Sequence, residues 1–217
     1  MICKDCNGIC IKRGKTQGIQ RYRCKHCRKS FQENYKKKRI TEEKYQWVHR
    51  LNNEGCGISS IGRLLNISKS SVQRVITRLV SKISRPVIIE SGESYEIDEL
   101  RTYCSNKKNE CWLIYAINRK TRQIIDFCVG RRTKENLQKV VSSLVKLNPK
   151  KIYTDGLNIY PSIINNHIHT VYSGCTNRIE RKNLTIRMQL KRLSRRTICF
   201  SKETAMLYNS FCLWICA

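Results

Sequence analysis

Apolar and polar positions change rhythm several times along the chain. Residues 1–35 hold few apolar groups and no sustained period. From Thr41 the spacing becomes helical. Tyr45, Val48 and Leu51 share one face of a segment that Thr41 can cap, with Glu42 and Glu43 in its first turn and "EGCG" at 54–57 as its end. Ile58, Ile61, Leu64 and Leu65 predict a short amphipathic helix, and "NIS" at 66–68 a turn. Ser68 then caps a longer helix with Val72, Val75, Ile76 and Leu79 inward. "RPVIIESGES" at 85–94 reads as a linker, because Pro86 cannot continue a helix. Beyond it, "YEIDELRTYC" alternates in places and predicts a strand, and "CWLIYAINRKTRQIIDFCVG" predicts two strands joined at "NRKTRQ". Leu137, Val140, Val141, Leu144 and Val145 give an amphipathic helix with Thr133 as cap. "KIYTDG" is a strand, "NIYPSIINN" a short helix with Pro161 near its start, "HIHTVYS" a strand, and "NRIERKNLTIRMQLKRLS" a long basic helix. The order β-β-β-α-β-α-β-α predicts an α/β core, a mixed sheet with helices on its faces.

Charge narrows what such a chain can do. Lys and Arg number 43 against 16 Asp and Glu, a formal net charge of +27, with a pI of about 9.9. A compact body with that imbalance repels itself unless a polyanion neutralises it, and nucleic acid is the natural partner. No run of about 18 apolar residues is present, so no membrane span is expected. The start, "MICKDCNGIC", lacks the apolar stretch of a signal peptide. The 13 cysteines are then expected to be mostly free thiols in a reducing cytoplasm.

Two cysteine pairs carry metal spacing. Cys3 and Cys6 form one Cys-x-x-Cys and Cys24 and Cys27 another, with 17 residues between. Each pair can aim two thiolates at one tetrahedral ion, so a structural Zn²⁺ is expected in a zinc ribbon. "RGKTQGIQRYRC" reads as the hairpin that carries the second pair to the first. Cys10 and His26 are spare candidates. Without metal, so few apolar groups could not hold about 30 residues folded. Arg21 and Arg23, among other bases, and the run "KKKR" at 36–39 suit phosphate contact. In the helical segment, Lys69, Ser70, Ser71, Gln73 and Arg74 are groove-reading residue types early in the second helix of a helix-turn-helix. A plain three-helix bundle or a dimer contact would give the same pattern.

The scarce acids are placed pointedly. Asp98 lies in the first strand of the core, Asp155 at the tip of the fourth, and Glu180 in the last basic helix. Three carboxylates from separate elements offer oxygen ligands suited to Mg²⁺ or Mn²⁺. Two such ions can drive phosphodiester chemistry. Each acid has a plainer alternative. Glu96 and Glu99 rival Asp98, with Glu96 on its face of an ideal strand and Glu99 on the other. Asp155 before Gly156 is a common turn former. Glu180 could cap a helix or pair with an arginine.

Taken together, "CKDC…RYRCKHCRKSF", "ISSIGRLLNISKSSVQRVI", "YEIDELRTY", "IYTDG" and "NRIERKNLTIRMQLKRLSRRTICFSK" resemble, in order, the blocks of insertion-sequence-one (IS one) transposases over about residues 1–202. The resemblance implies an RNase H-like catalytic core at 95–217 behind a zinc ribbon at 1–35, a helix-turn-helix domain at 36–84 and a linker at 85–94. It implies an Asp-Asp-Glu site that binds Mg²⁺ or Mn²⁺, in which Asp98 is favoured over its neighbours and joined by Asp155 and Glu180. Arg187 matches a basic position in related transposases. Arg187, Arg181, Arg195 and Arg196 are each either phosphate contacts or solvated arginines. The implied reaction frees 3′-hydroxyls at the ends of the element and joins them to target DNA. The implied partner is double-stranded DNA, both terminal inverted repeats and target, held by at least a dimer near the prokaryotic nucleoid. A non-catalytic DNA-binding regulator that uses only the ribbon and the helix-turn-helix is the alternative. The tail "ETAMLYNSFCLWICA" lies outside the resemblance and is either a closing helix on the core or a diverged end.

Overall fold

The computed structural model describes residues 1–32, 40–83, 91–172, 174–194 and 199–216. The basic run at 36–39, most of the linker, and Arg195 and Arg196 lie outside the described residues. The chain forms two compact units, Met1–Thr41 and Glu42–Ala217.

The first unit is a three-stranded antiparallel sheet in the order β1 (Cys10–Thr16), β2 (Ile19–Cys24) and β3 (Ser30–Gln32). Thr16 pairs with Ile19 across the two-residue turn Gln17-Gly18, and both turn residues have positive φ, 51° and 78°. Such turns match the twist of the strands they join, which is why a hairpin forms between the cysteine pairs. Its interior is made of Cys3, Cys10 and Cys24, with Cys6, Cys27, Tyr22 and Phe31 packed against them.

The second unit begins with three helices, α1 (Glu42–Asn53), α2 (Ile58–Leu64) and α3 (Lys69–Val80). Ser68 caps α3, its hydroxyl accepting from the Ser71 amide at 3.1 Å. Val72, Val75 and Ile76 are buried as the periodicity predicts. Leu64 is not: it is 64% exposed, since α2 ends on it and the chain turns away. Gly62 sits where a Cβ would lie 2.9 Å from the Ile67 carbonyl oxygen, so the turn into α3 folds tightly back on α2.

The sheet that follows has the order β6-β5-β4-β7-β8. Strands β4 (Ser94–Tyr103), β5 (Glu110–Asn118) and β6 (Ile124–Gly130) form an antiparallel meander. Strands β7 (Lys151–Tyr153) and β8 (His169–Thr170) run parallel to β4. This mixed sheet fits the expected RNase H-like core. One face packs on α4 (Lys134–Val145) through Leu137, Val140, Val141 and Leu144. The Thr133 hydroxyl caps α4, as expected, but Val145 is 47% exposed at the last turn. The other face is covered by α5 (Asn177–Gln189) and α6 (Thr204–Ile215), with Phe211 at its centre. The predicted helix after β7 is only a 3-10 turn at Tyr160–Ser162, with Pro161 in its first turn.

Helix α6, formed by the apolar tail, does more than close the core. Val80 and Ile83 pack into the same cluster as Phe211. Asn52 Nδ2 of α1 donates to the Ser210 carbonyl of α6 at 3.0 Å, and Asn209 Nδ2 donates to Thr77 Oγ1 of α3 at 3.2 Å. Gly55, with φ 74°, lies where a Cβ would stand 1.9 Å from the Gln189 carbonyl oxygen at the end of α5. The three helices and the sheet are therefore one packed body.

Candidate active site

Strand β4 carries Glu96, Asp98 and Leu100 toward α5, and Tyr95, Ile97 and Glu99 toward α4, as the two-residue period requires. Strand β7 pairs with β4 only from Ser94 to Glu96. Beyond Tyr153 the chain continues through Thr154 to Asp155, beside the stretch of β4 that has lost its β7 partner. There the carboxylate oxygens of Asp98, Glu99 and Asp155 lie within 4.8 Å of one another. Asp98 and Glu99 thus converge from opposite faces at an open edge. Period-2 reasoning places them apart and could not foresee it.

Each acid is held by neighbours. Asp98 Oδ1 accepts the Glu99 amide at 2.7 Å, and Oδ2 accepts Asn183 Nδ2 of α5 at 2.5 Å. Glu99, its side chain 2% exposed, accepts from the Tyr160 hydroxyl, and Arg132 Nη1 stands 4.0 Å away. Asp155 Oδ1 accepts the Leu157 amide at 3.1 Å, so the turn-forming role is present alongside the cluster. Thr154 fixes that strand end: its hydroxyl meets His169 Nε2 at 2.8 Å, and its carbonyl accepts the Cys175 thiol at 3.2 Å.

The acids are electrostatically strained. Burial, aided by the charges of Asp155 and Glu180, lifts Asp98 to about 6 against the pull of its two hydrogen-bond donors. Burial lifts Glu99 to about 7, with Asp155 and Asp98 adding to the rise and Tyr160 and Arg132 opposing it. Carboxyls that are short of countercharge suit a bound cation. The donor set, all oxygen, fits Mg²⁺ or Mn²⁺.

Glu180 stands outside the 4.8 Å group. It is exposed in the first turn of α5, and its Oε1 accepts the Thr176 hydroxyl at 3.0 Å. The start of α5 is pinned to β4 by Glu96, a fully buried carboxylate. Glu96 accepts the Ile179 amide at 2.9 Å and pairs with Arg119 at 2.8 Å and Arg178 at 3.4 Å. Glu96 therefore shares a face with Asp98 but is committed to these partners. Arg187 Nη1 donates to the Leu193 carbonyl at 3.0 Å, which secures the end of the helix. Arg181 is exposed.

In the first unit, Cys3, Cys6, Cys24 and Cys27 bring their sulfurs within 4.8 Å of one another, with Cys3–Cys27 at 3.6 Å and Cys6–Cys24 at 3.5 Å. Four thiolates at ordinary Zn–S distance would stand about 3.8 Å apart, so the cluster needs only a slight expansion to hold the ion. Burial raises the Cys24 thiol, but amide donors from Cys27 and His26 outweigh it and bring that group to about 6. At Cys27 the Lys29 amide is outweighed by burial and the neighbouring thiols, which push the group up to about 12. Close-set sulfurs thus resist ionising together unless a cation joins them. Cys10 and His26 are not in this group. Of the basic candidates there, Arg21 is exposed and Arg23 donates to the Arg28 carbonyl at 3.2 Å. Lys69, Ser70, Gln73 and Arg74 of α3 are exposed, whereas Ser71 is half-buried.

Over residues 93–212 the chain matches the family model for IS1 transposase. The chain belongs to the IS1 transposase family. It is 32% identical over 111 residues to the insertion element IS1 protein InsB of Shigella sonnei, a stretch covering 51% of this chain and 85% of that protein. The same identity and length hold for the insertion element IS1 9 protein InsB of Escherichia coli (strain K12), where the stretch covers 66% of that protein. A looser likeness links the chain to the simian T-cell lymphotropic virus intasome in complex with PP2A regulatory subunit B56 gamma, at 14% identity and a TM-score of 0.40, over 77% of this chain and 67% of that one. The IS1 transposase match runs as far as Cys212, so most of α6, which the sequence blocks left unassigned, belongs to the family region.

Proposed function

We propose that the chain is a metal-dependent DNA transposase that cleaves the ends of its element to 3′-hydroxyls and joins them to target DNA. The observation that supports this most is the convergence of Asp98 and Asp155 at the open edge of β4 inside the family-matched region. In this reading Asp98, Asp155 and Glu180 hold Mg²⁺ or Mn²⁺, and Glu99 adds its carboxylate from the other face. The ions, when bound, supply charge neutralisation and activation of the attacking and leaving oxygens. The chain's own groups do the positioning. Thr154 and the Asp155 turn set the second acid at the strand tip. Glu96 pins the start of α5, the turn that carries Glu180. Arg181, exposed one residue on, and Arg187 offer positive charge to the phosphate backbone.

The first unit is read as a zinc ribbon held by Cys3, Cys6, Cys24 and Cys27. The helices at 42–80 are read as a helix-turn-helix with α3 as recognition helix, and the exposed Lys69, Ser70, Gln73 and Arg74 support this. Together they bind terminal inverted repeats. Pairing two ends calls for a homodimer or larger assembly on DNA.

The test is strand cleavage and joining on labelled terminal-repeat DNA of the element, with Mg²⁺ or Mn²⁺, by the unaltered chain and by Asp155→Ala. We expect the variant to keep its DNA affinity within about twofold and to lose about a hundred- to a thousandfold in cleavage, the scale of losing one preorganised electrostatic group. Binding without cleavage under any divalent ion would leave only the regulator reading.

A further inference from the structure

We infer that Asn183 is the positioning residue that aims Asp98 into the acid site, with the Tyr115 hydroxyl supporting Asn183 from its other end. The inference rests on the metal-site reading above. Asn183 lies on α5 one turn beyond Glu180 and is half-buried. Its Nδ2 donates to Asp98 Oδ2 at 2.5 Å, and its Oδ1 accepts the Tyr115 hydroxyl at 2.8 Å. That hydroxyl also reaches the Ile179 carbonyl of the same helix at 3.2 Å. Tyr115 is fully buried and stands opposite Asp98 in the β4–β5 register. A single relay of hydrogen bonds thus runs from β5 through α5 to β4.

The relay has a direction. The Tyr115 hydroxyl is a standing donor, because burial keeps it protonated far above its usual range. Its one hydrogen has two acceptors in reach, Asn183 Oδ1 and the Ile179 carbonyl. The amide is therefore oriented first by the Asp98 carboxylate, which can only accept and so takes the NH₂, leaving Oδ1 toward Tyr115. Turning the amide over would set its oxygen against a carboxylate oxygen. The other Asp98 oxygen is already fixed by the Glu99 amide. Each carboxylate oxygen has room for a further contact. One protein donor apiece therefore fixes the rotamer and leaves capacity for a cation. Ordering of this ligand is complete before any ion arrives, which favours binding. A neutral amide suits the place: it orients Asp98 without cancelling its charge or adding another. The same bond indexes α5, and Glu180 with it, to β4.

The test uses full-length, zinc-loaded protein without DNA and measures Mn²⁺ affinity by electron paramagnetic resonance. Asp155→Asn defines which part of the binding belongs to the acid site. We expect Asn183→Ala and the similarly sized Asn183→Leu to weaken the Asp155-dependent affinity by about 10–100-fold, the range seen when partners of metal ligands are removed. Tyr115→Phe, which keeps the ring, should weaken it by a smaller factor. Affinity for terminal-repeat DNA without divalent ions should stay within about twofold for all three, as acid-site geometry plays no part in the phosphate contacts. Unchanged Mn²⁺ affinity in Asn183→Leu would overturn the inference while leaving the metal-site reading intact. So would a loss of Mn²⁺ affinity matched by equal loss of DNA binding in all three variants, since that marks a general structural role. If the unaltered chain shows no Asp155-dependent Mn²⁺ binding, the site reading itself fails and the inference falls with it.

Discussion

The Met1–Thr41 unit buries three cysteines as its core, whereas the Glu42–Ala217 unit buries two apolar layers on either side of a five-stranded sheet. Both bring like-charged or like-chargeable ligands together, four sulfurs in one case and three carboxylates in the other. The physical consequences are opposite. With almost no apolar interior, that unit rests largely on its thiol cluster, so an ion bound there would contribute folding energy directly. The acid cluster sits at the margin of a sheet that is stable without it, and its uncompensated charge is a cost the two layers absorb.

The largest test of this contrast is removal of the thiol site. Zinc analysis should give about one ion per chain, and Cys24→Ser should abolish it. Limited proteolysis of that variant should cut within residues 1–41 and leave Glu42–Ala217 intact. Protection of the first unit without zinc would break the comparison. Phe211→Ala should show the reverse pattern. This ring is fully buried and meets Phe127 at 4.8 Å and Trp214 at 5.6 Å. Its loss should cost about 3–5 kcal/mol in denaturant unfolding of the second unit while zinc content stays unchanged.

The smallest effect concerns Asp98. Its folded pKa of about 6 lies above the ordinary 3.8, so between those values the folded chain keeps a proton that the unfolded chain has lost. Stability from this group is full below pH 4, declines as pH rises through 6, and then levels. Asp98→Asn should therefore gain nothing at pH 4 and about 1–2 kcal/mol by pH 7, allowing for solvent screening, in thermal unfolding without added divalent ions. Added Mn²⁺ should erase the gain by stabilising only the unaltered chain. A gain independent of pH would mean that charge burial is not its source.

Much of the scaffold is legible from local pattern. Ser68 and Thr133 cap where their spacing says, the meander from β4 to β6 follows its apolar runs, and the cysteine pairs announce their own cluster. Where local rules fail, a distant contact has intervened. Leu64 and Val145 keep helical spacing but fall where their helices end, so the stripe no longer meets a partner. Asp155 is readable from "YTDG", yet Glu99 joins it only because β7 stops pairing three residues into β4. Asn183 carries no sequence signal of its own. It is one polar residue in a basic helix, and only packing of α5 across β5 brings it to Asp98. Helix α6 was obscured for a different reason: an apolar, cysteine-rich tail names no partner, and its contacts lie with helices far upstream.

That last arrangement has a bearing on the order in which the protein takes shape. The bond from Asn52 to Ser210 spans 158 residues. Closing so long a loop is entropically slow and follows the local helices and hairpins. During synthesis α1 and α3 are made long before α6 and wait with an apolar flank uncovered until the whole sheet has emerged. The helices that would read DNA therefore set last, and a chain halted before α6 would carry them unanchored.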